Sequence, residues 1–305
     1  MLATPRQRPL DLDLSQVPKW PPKSKALSAA RMIPTMSRFE LRAGEAIGSG
    51  GFGTVYEGEF ENRKVALKKL RVNTKNEEVV WGSFLSELRG MCLKHPNVVE
   101  MLGAVMYENT PCLVMEYAGD RNLQEVIDDR AEDLPLARRT RIAHSVVSGM
   151  EYIHDLEITH LDLKPANLIM KDAVSCKIGD FGCSLKVNEF DGGMRPSIYL
   201  TGTHAYKAPE LLLGEFPTVQ ADVYSLGVCM WQMLAREEPY KGEDPQLVIF
   251  GIATDSIRPR LPSVVCNTDA GYLKLFQKCW SGSPKERPTA SALRASLSSN
   301  LEPNC

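Results

Sequence analysis

Two periodicities divide this chain. From Phe39 to about Val72, in FELRAGEAIG, TVYEGEF and RKVALKKL, apolar and polar positions run in short strand-like stretches, the first two parted by glycines. VVWGSFLSELRGMCL then puts apolar side chains at 81, 84, 85, 88 and 91, the stripe of a helix. VVEMLGAVMY and PCLVMEY read as two more strands. After AGDRN (118–122) the character changes. Leu136 to Leu156 forms a helical pattern with Ile142, Val146, Met150 and Ile153 on one face, and NLIM and CKIG read as short strands around the turn KDAVS. Beyond Pro209 helical patterns dominate. The prediction is an α+β chain: a small sheet-rich part carrying one helix, a hinge at 118–122, then a larger helical part. A cleft should lie between the two.

Residues 1–36 are rich in proline, serine and basic residues, with Trp20 and a few leucines too sparse for a core, so disorder is expected there. The whole chain, 305 residues with 43% hydrophobic and 24% charged, has ordinary globular composition. Its net charge of -2 gives no strong field for nucleic acid or an anionic membrane, and neither is expected as a partner. The longest apolar stretch, VYSLGVCMWQMLA (223–235), is too short to span a bilayer and reads as a buried core helix. The start lacks the apolar core of a secretion signal. Eight cysteines without a CxxC pair read as reduced thiols, so a cytoplasmic location is expected, with a monomer as the default state.

The chemistry concentrates in a few short stretches. GSGGFGTV (48–55) carries Gly48, Gly50 and Gly53 in a GxGxxG pattern, through which backbone N–H groups can approach phosphates. Alone it reads equally as a glycine-rich hairpin. A dinucleotide fold needs a helix directly afterwards, whereas TVYEGEF continues as strand. Lys68 ends VALK and is either an exposed edge residue or a cation aimed into the cleft. Glu87 falls on the apolar stripe of the predicted helix, where a carboxylate is costly unless paired, and Lys68 is the candidate partner. HLDLKPAN (160–167) sets Asp162, Lys164 and Asn167 on a loop, and DFG (180–182) follows the strand CKIG. The hairpin between Asn167 and Asp180 brings its ends together, so two oxygens can face one hard cation of the Mg²⁺ type. His160 reads as structural rather than as a base, and Cys183, just after DFG, as either a reactive thiol or, the preferred reading, a small buried apolar residue.

GSGGFGTV, VALK, Glu87, HLDLKPAN, DFG and KAPE, in this order, resemble the protein kinases over residues 39–300. LDLKPAN and GTHAYKAPE resemble the serine/threonine type. HLDLKPAN with Leu161, CKIGDFGCS with Cys183, NTKN at 73–76, WQM at 231–233 and IRP at 257–259 resemble the Mos oocyte kinase family. The resemblance implies a bilobal kinase fold, with an N-lobe over 37–118, a C-lobe over 119–301 and a tail at 302–305. It implies ATP and Mg²⁺. Gly48, Ser49, Gly50, Gly51, Phe52 and Gly53 would cover the nucleotide; Val55, Ala66, Met115, Glu116 and Ala118 would line its site. Lys68, held by Glu87, would take the α and β phosphates, and Asn167 and Asp180 the metal. Asp162 would accept or orient the substrate proton, with Lys164 on the γ-phosphoryl group. Glu210 and Arg287 match a buried ion pair of the large lobe, Asp222 an aspartate that steadies the catalytic loop, and Thr203 a threonine packed on Asp162. The implied partner is a protein substrate, MAP kinase kinase, in oocyte meiotic maturation and arrest. Another tyrosine-kinase-like serine/threonine kinase, or a silent pseudokinase scaffold, are the alternatives. Most kinases place arginine where Leu161 stands, to pair with a phosphorylated residue of the activation segment; leucine cannot, so activity should not depend on that switch.

Overall fold

The computed structural model describes residues 42–50, 53–71, 77–107, 110–187, 203–261 and 270–299. The proline-rich start, the 302–305 tail, Gly51, Phe52, the NTKN stretch, Ser197 and Thr201 lie outside them. Five antiparallel strands come first: β1 (Arg42–Ser49), β2 (Gly53–Phe60), β3 (Arg63–Leu70), β4 (Met101–Tyr107) and β5 (Thr110–Glu116), in the order β1-β2-β3-β5-β4. A two-residue turn joins β2 to β3, with Glu61 and Asn62 at φ 49 and 59. Positive φ at both central positions matches the twist of the flanking strands. The register then sets Lys68 between Val55 and Leu113, and Ala66 between Glu57 and Met115.

One helix covers this sheet. In α1 (Glu77–Arg89), Val80, Phe84 and Leu88 pack on Leu70, Met101, Ala104 and Leu113. A tight turn over Gly90–Cys92 finishes the helical pattern. The apolar stripe therefore does what its spacing predicts: it seats α1 on the sheet. Glu87, on that same buried side, comes with it.

The second lobe is mainly helical, as predicted. Its strands are short: β6 (Arg121–Asn122), β7 (Ile158–Thr159), β8 (Leu168–Met170), β9 (Cys176–Ile178) and β10 (Leu185–Lys186). Its helices are α2 (Leu123–Asp128), α3 (Leu136–Asp155), α4 (Pro209–Leu212), α5 (Gln220–Ala235), α6 (Pro245–Ala253), α7 (Ala270–Cys279) and α8 (Ala290–Ser299). Asn122 opens α2 with a capping box: its side chain accepts from the Glu125 N–H at 3.1 Å, and the Glu125 carboxylate accepts from the Asn122 N–H at 2.7 Å. The α3 stripe of Ile142, Val146, Met150 and Ile153 is fully buried. Helix α5 is buried on every side from Ala221 to Met233, which is why its sequence lacks amphipathic spacing. It ends at Arg236, φ 57, whose guanidinium donates to the carbonyls of Ile127 and Glu132, both at 2.7 Å. No helix among the described residues is long and apolar enough to cross a membrane, and the six described cysteines are free.

Glu210, on α4, is buried against Arg287 in a two-pronged ion pair, 2.6 Å from Nη1 and 2.8 Å from Nη2. The same guanidinium donates to the carbonyls of Ser281, Gln220 and Gly282 at 2.9, 3.0 and 3.1 Å. One side chain thus joins α4, the start of α5 and the turn after α7. Removing it leaves a carboxylate buried without its partner, which costs about 3–5 kcal/mol. Arg287→Ala is expected to lower the thermal midpoint by roughly 2–4 °C for each kcal/mol lost. Calorimetry checks this, and an unchanged midpoint contradicts it.

Candidate active site

The cleft between the lobes is organised around one ammonium group. Lys68 Nζ, on β3, lies 2.6 Å from Glu87 Oε1 and 2.6 Å from Asp180 Oδ1. Lys68 and Glu87 are buried, and Asp180 keeps part of its carboxylate open to the cleft. Burial disfavours the Lys68 charge, but Asp180 and Glu87 together outweigh it and raise its pKa. Burial pushes the Asp180 carboxyl up, and Lys68 more than reverses this. Burial raises Glu87, with Lys68 opposing. The result is a charged lysine bridging a helix of the small lobe and a loop of the large one.

Glycine makes the approach of that helix possible. A Cβ on Gly182 would stand 2.3 Å from Ser83 Oγ and 3.1 Å from Glu87 Oε1. A larger residue there forces the Ser83 and Glu87 side chains to give way. Asp180 itself holds φ 62, the left-handed region that costs a non-glycine residue about 1–3 kcal/mol. That conformation turns its carboxylate towards Lys68. Phe181 packs away from the cleft, edge-on to His160 at 4.9 Å.

The loop from His160 to Asn167 places the second cluster. Asp162 Oδ2 accepts from Lys164 Nζ at 2.7 Å and from Asn167 Nδ2 at 3.1 Å. Asn167 Nδ2 also donates to the Asp162 carbonyl at 2.8 Å, so its oxygen is left to face elsewhere. Strands β8 and β9 form the expected hairpin, and the Gly179 N–H donates to the Asn167 carbonyl at 2.9 Å. Asn167 and the residue before Asp180 are therefore in direct contact across it.

Backbone strain in this loop has a visible restraint. Leu161 is buried at φ 65. Its N–H donates to Asp222 Oδ1 at 2.9 Å, while the His160 N–H donates to Asp222 Oδ2 at 2.8 Å. Fully buried Asp222 thus holds two consecutive amides, and His154 Nε2 meets its Oδ2 at 2.9 Å. The His160 ring links Gly179 O, 2.9 Å from Nε2, to the Asp162 N–H, 3.3 Å from Nδ1. With its own ring spent on backbone, His160 is structural.

The remaining expected positions distribute as follows. Gly48, Ser49 and Gly50 end β1 in the open, and the Gly50 N–H donates to the Gly53 carbonyl at 2.9 Å. Gly53 is fixed by packing, since a Cβ there would sit 2.4 Å from the Lys69 carbonyl. Val55, Ala66, Met115 and Ala118 are half-buried on the cleft-side elements, and Met115 touches the small-lobe core. The Glu116 side chain turns from the cleft to accept the Glu100 N–H at 2.7 Å and to pair with Lys177. Thr203 differs from expectation. It is exposed, because the turn His204–Tyr206 leaves it on the solvent side, and Asp162 is held by Lys164 and Asn167 instead. Cys183 is buried, and burial pushes its thiol up to about 12, which makes it unreactive.

Known proteins with this sequence pattern agree with the geometry. A protein kinase domain model matches residues 41–297. The serine/threonine-protein kinase mos of Patiria pectinifera is 43% identical over 257 residues, spanning 82% of this chain and 72% of that protein. Its counterpart from Xenopus laevis is 38% identical over 266 residues, spanning 82% and 73%. The proto-oncogene serine/threonine-protein kinase mos of Mus musculus is 35% identical over 270 residues, spanning 82% and 78%. The chain is a serine/threonine protein kinase of the Mos family.

A kinase domain implies ATP and a divalent cation. The donor set fits such an ion: the Asn167 amide oxygen and the Asp180 carboxylate are two hard oxygen ligands at one end of a hairpin. Among the described residues no group of three or more His, Cys, Asp or Glu could hold a metal by itself. A two-oxygen site is what a cation sharing phosphates and water requires. Two features of the kinase were missed by sequence reasoning. His154 braces Asp222, and its place in the last turn of an ordinary helix carried no signal. Lys207 is buried with no hydrogen-bond partner for its ammonium among the described residues, and burial lowers its pKa while Asp162 opposes that. Its neighbourhood with Asp162 exists only in three dimensions.

Gly182→Ala tests the close approach of α1. Displacing Glu87 should separate it from Lys68 and lower kcat/KM at least about a hundredfold, the scale on which small misplacement acts. The protein should remain folded by circular dichroism. Activity within twofold of wild type contradicts the assignment.

Proposed function

We propose that this kinase is a MAP kinase kinase kinase: it passes the γ-phosphoryl group of ATP to serine or threonine hydroxyls of MAP kinase kinase. In this reading it works in the cytoplasm and drives oocyte meiotic maturation and arrest. The observation that carries the chemistry is the Lys68 ammonium, 2.6 Å from both Glu87 and Asp180, which assembles a phosphate-binding centre from both lobes. Likeness to the Mos kinases supports the pathway.

Phosphoryl transfer through a loose transition state asks a protein for positioning and charge neutralisation more than for covalent chemistry. Lys68 takes α and β phosphate oxygens, exchanging its contact with Asp180 for them while Glu87 holds its stem in place. The loop at Gly48–Gly53 covers the phosphates, and the chain at Glu116–Ala118 offers backbone to the adenine. Asp180 and Asn167 hold Mg²⁺, which neutralises phosphate charge when bound. Asp162 orients the acceptor hydroxyl and takes its proton. Both its internal hydrogen bonds fall on Oδ2, so Oδ1 is the oxygen directed to that task. Lys164, already beside Oδ2, steadies the transferred group.

Asp162→Asn keeps the shape of the loop but removes the proton acceptor. Transfer should fall by about 10²–10⁴ while nucleotide affinity persists; near-normal turnover refutes the role. In the same assay, wild-type kinase with Mg-ATP should label a catalytically inactive MAP kinase kinase on serine or threonine. Labelling of a short serine peptide without any labelling of that protein removes the substrate assignment.

Leu161 bears on regulation. It is buried at φ 65 and carries no charge, so it offers no partner to a phosphate on the activation segment. Activity is accordingly independent of phosphorylation there. Ser197→Ala combined with Thr201→Ala should leave kcat/KM within about threefold of wild type. A collapse of activity in purified protein sinks the idea.

A further inference from the structure

Among the described residues the fold buries two lysines, Lys68 and Lys207. Lys68 has two carboxylates. Lys207, 3% exposed, has no hydrogen-bond partner for its Nζ. An ammonium buried alone is costly, so its presence in a fold asks for a reason.

Helix α5 fixes where this ammonium stands. Asp222, in its first turn, takes the amides of His160 and Leu161. Ser225, three residues on and so on the same face, donates from Oγ to the Tyr206 carbonyl at 2.8 Å. The start of the catalytic loop and the residue before Lys207 therefore hang from adjacent turns of one helix. The Tyr206 hydroxyl donates to Gln232 Oε1 at 2.6 Å, further along α5, and the Lys207 N–H donates to the His204 carbonyl at 3.0 Å. Pinned in this way, the segment carries Lys207 to the acceptor side of the catalytic loop. Burial lowers the Lys207 pKa, Asp162 and Cys183 oppose this, and Lys164 adds to it, so all three lie within reach of its charge.

The acids of this region have no oxygen to spare for it. Asp162 is taken by Lys164 and Asn167, Asp180 by Lys68, Glu210 by Arg287, and Asp222 by two amides and His154. A second unsatisfied atom stands beside Lys207. His204 Nδ1 is buried without a hydrogen-bond partner, and burial, helped by Lys207, lowers the pKa of that ring. A neutral imidazole can carry its proton on Nδ1 and donate it. Thr203 is exposed and His204 half-buried, so the segment meets solvent at its start. Two donors without acceptors, next to the aspartate that meets the acceptor hydroxyl, make a site that lacks one anion.

We infer that Lys207 and His204 receive a carboxylate side chain adjacent to the acceptor serine or threonine, and so select protein substrates that carry an acidic residue there. This rests on the reading of Asp162 given above and adds a specificity to it. A phosphorylated side chain of the kinase itself presents the same kind of anionic oxygens, but the position of the pair beside Asp162 favours the substrate, which comes there in every turnover.

The test gives full-length kinase three serine peptides that differ only in the residues flanking the serine: glutamate, glutamine or lysine. Wild type should favour glutamate over glutamine at least about tenfold in kcat/KM, mainly through KM, with lysine poorer still. Lys207→Met and Lys207→Gln should each bring the glutamate-to-glutamine ratio within about twofold. Lys207→Arg keeps the charge and should hold it above about fivefold. His204→Ala should roughly halve it. Each ratio is read on one preparation, so a lower yield or melting point cancels. A wild-type ratio within twofold overturns the selection while leaving Asp162 its role, since the peptides are labelled. An undiminished ratio in both neutral variants overturns it too. So does loss of transfer to every peptide in both, which makes the ammonium a requirement of folding or of transfer rather than of choice. Phosphatase-treated wild type should show the same ratio; a preference that treatment creates or abolishes makes the anion the kinase's own phosphate and overturns the substrate assignment. Failure of wild type on all three peptides removes the reading of Asp162 on which the proposal stands.

Discussion

The structure depends on one lysine ammonium shared by two carboxylates from different lobes. A buried ammonium is expensive to desolvate, and a single partner at one side would leave it poorly compensated. Glu87 and Asp180 compensate it together, each at 2.6 Å. Glu87 can do this only if α1 lies close to the loop at 180–182, and Gly182 permits that closeness because it has no Cβ. Asp180 can do it only from a left-handed backbone. Helix position, loop strain and glycine choice are thus consequences of one electrostatic requirement. In the proposed function this centre would exchange the Asp180 carboxylate for phosphate oxygens of the nucleotide.

A second restraint works beneath it. The catalytic loop carries a strained leucine, and strain of that kind persists only where surroundings over-determine it. Asp222 supplies the restraint by taking two adjacent amides, and helix α5 supplies Asp222 from the centre of the lobe. An otherwise apolar helix therefore carries one fully buried acid for the sake of a loop some sixty residues earlier. The Glu210–Arg287 pair anchors the neighbouring segment in the same manner, with a guanidinium whose planar fork suits carboxylate and carbonyls together.

Much of this was legible in the sequence because it is local. Strand-like runs gave strands, the predicted stripe seated α1 through Phe84, Leu88 and Met91, and the apolar run at 223–235 foretold a helix buried all round. The Asn167–Asp180 hairpin followed from two short strands and a turn. Glu87 was conspicuous as an acid on an apolar stripe, and Lys68 was its candidate partner. Thr203 shows the opposite case. Motif order placed it on Asp162, but the direction of a side chain at a turn depends on backbone dihedrals that order does not contain.

What the sequence by itself determined is the set of elements, their order, the division into two lobes and the residue types that chemistry needs. These follow from periodicity and from short spacings, where neighbours along the chain are neighbours in space. Only the tertiary structure decided that one ammonium serves two carboxylates, that His154 braces Asp222, and that Lys207 points inward beside the catalytic loop. Each of these joins groups tens of residues apart, and such meetings are settled by packing of whole elements rather than by any local pattern.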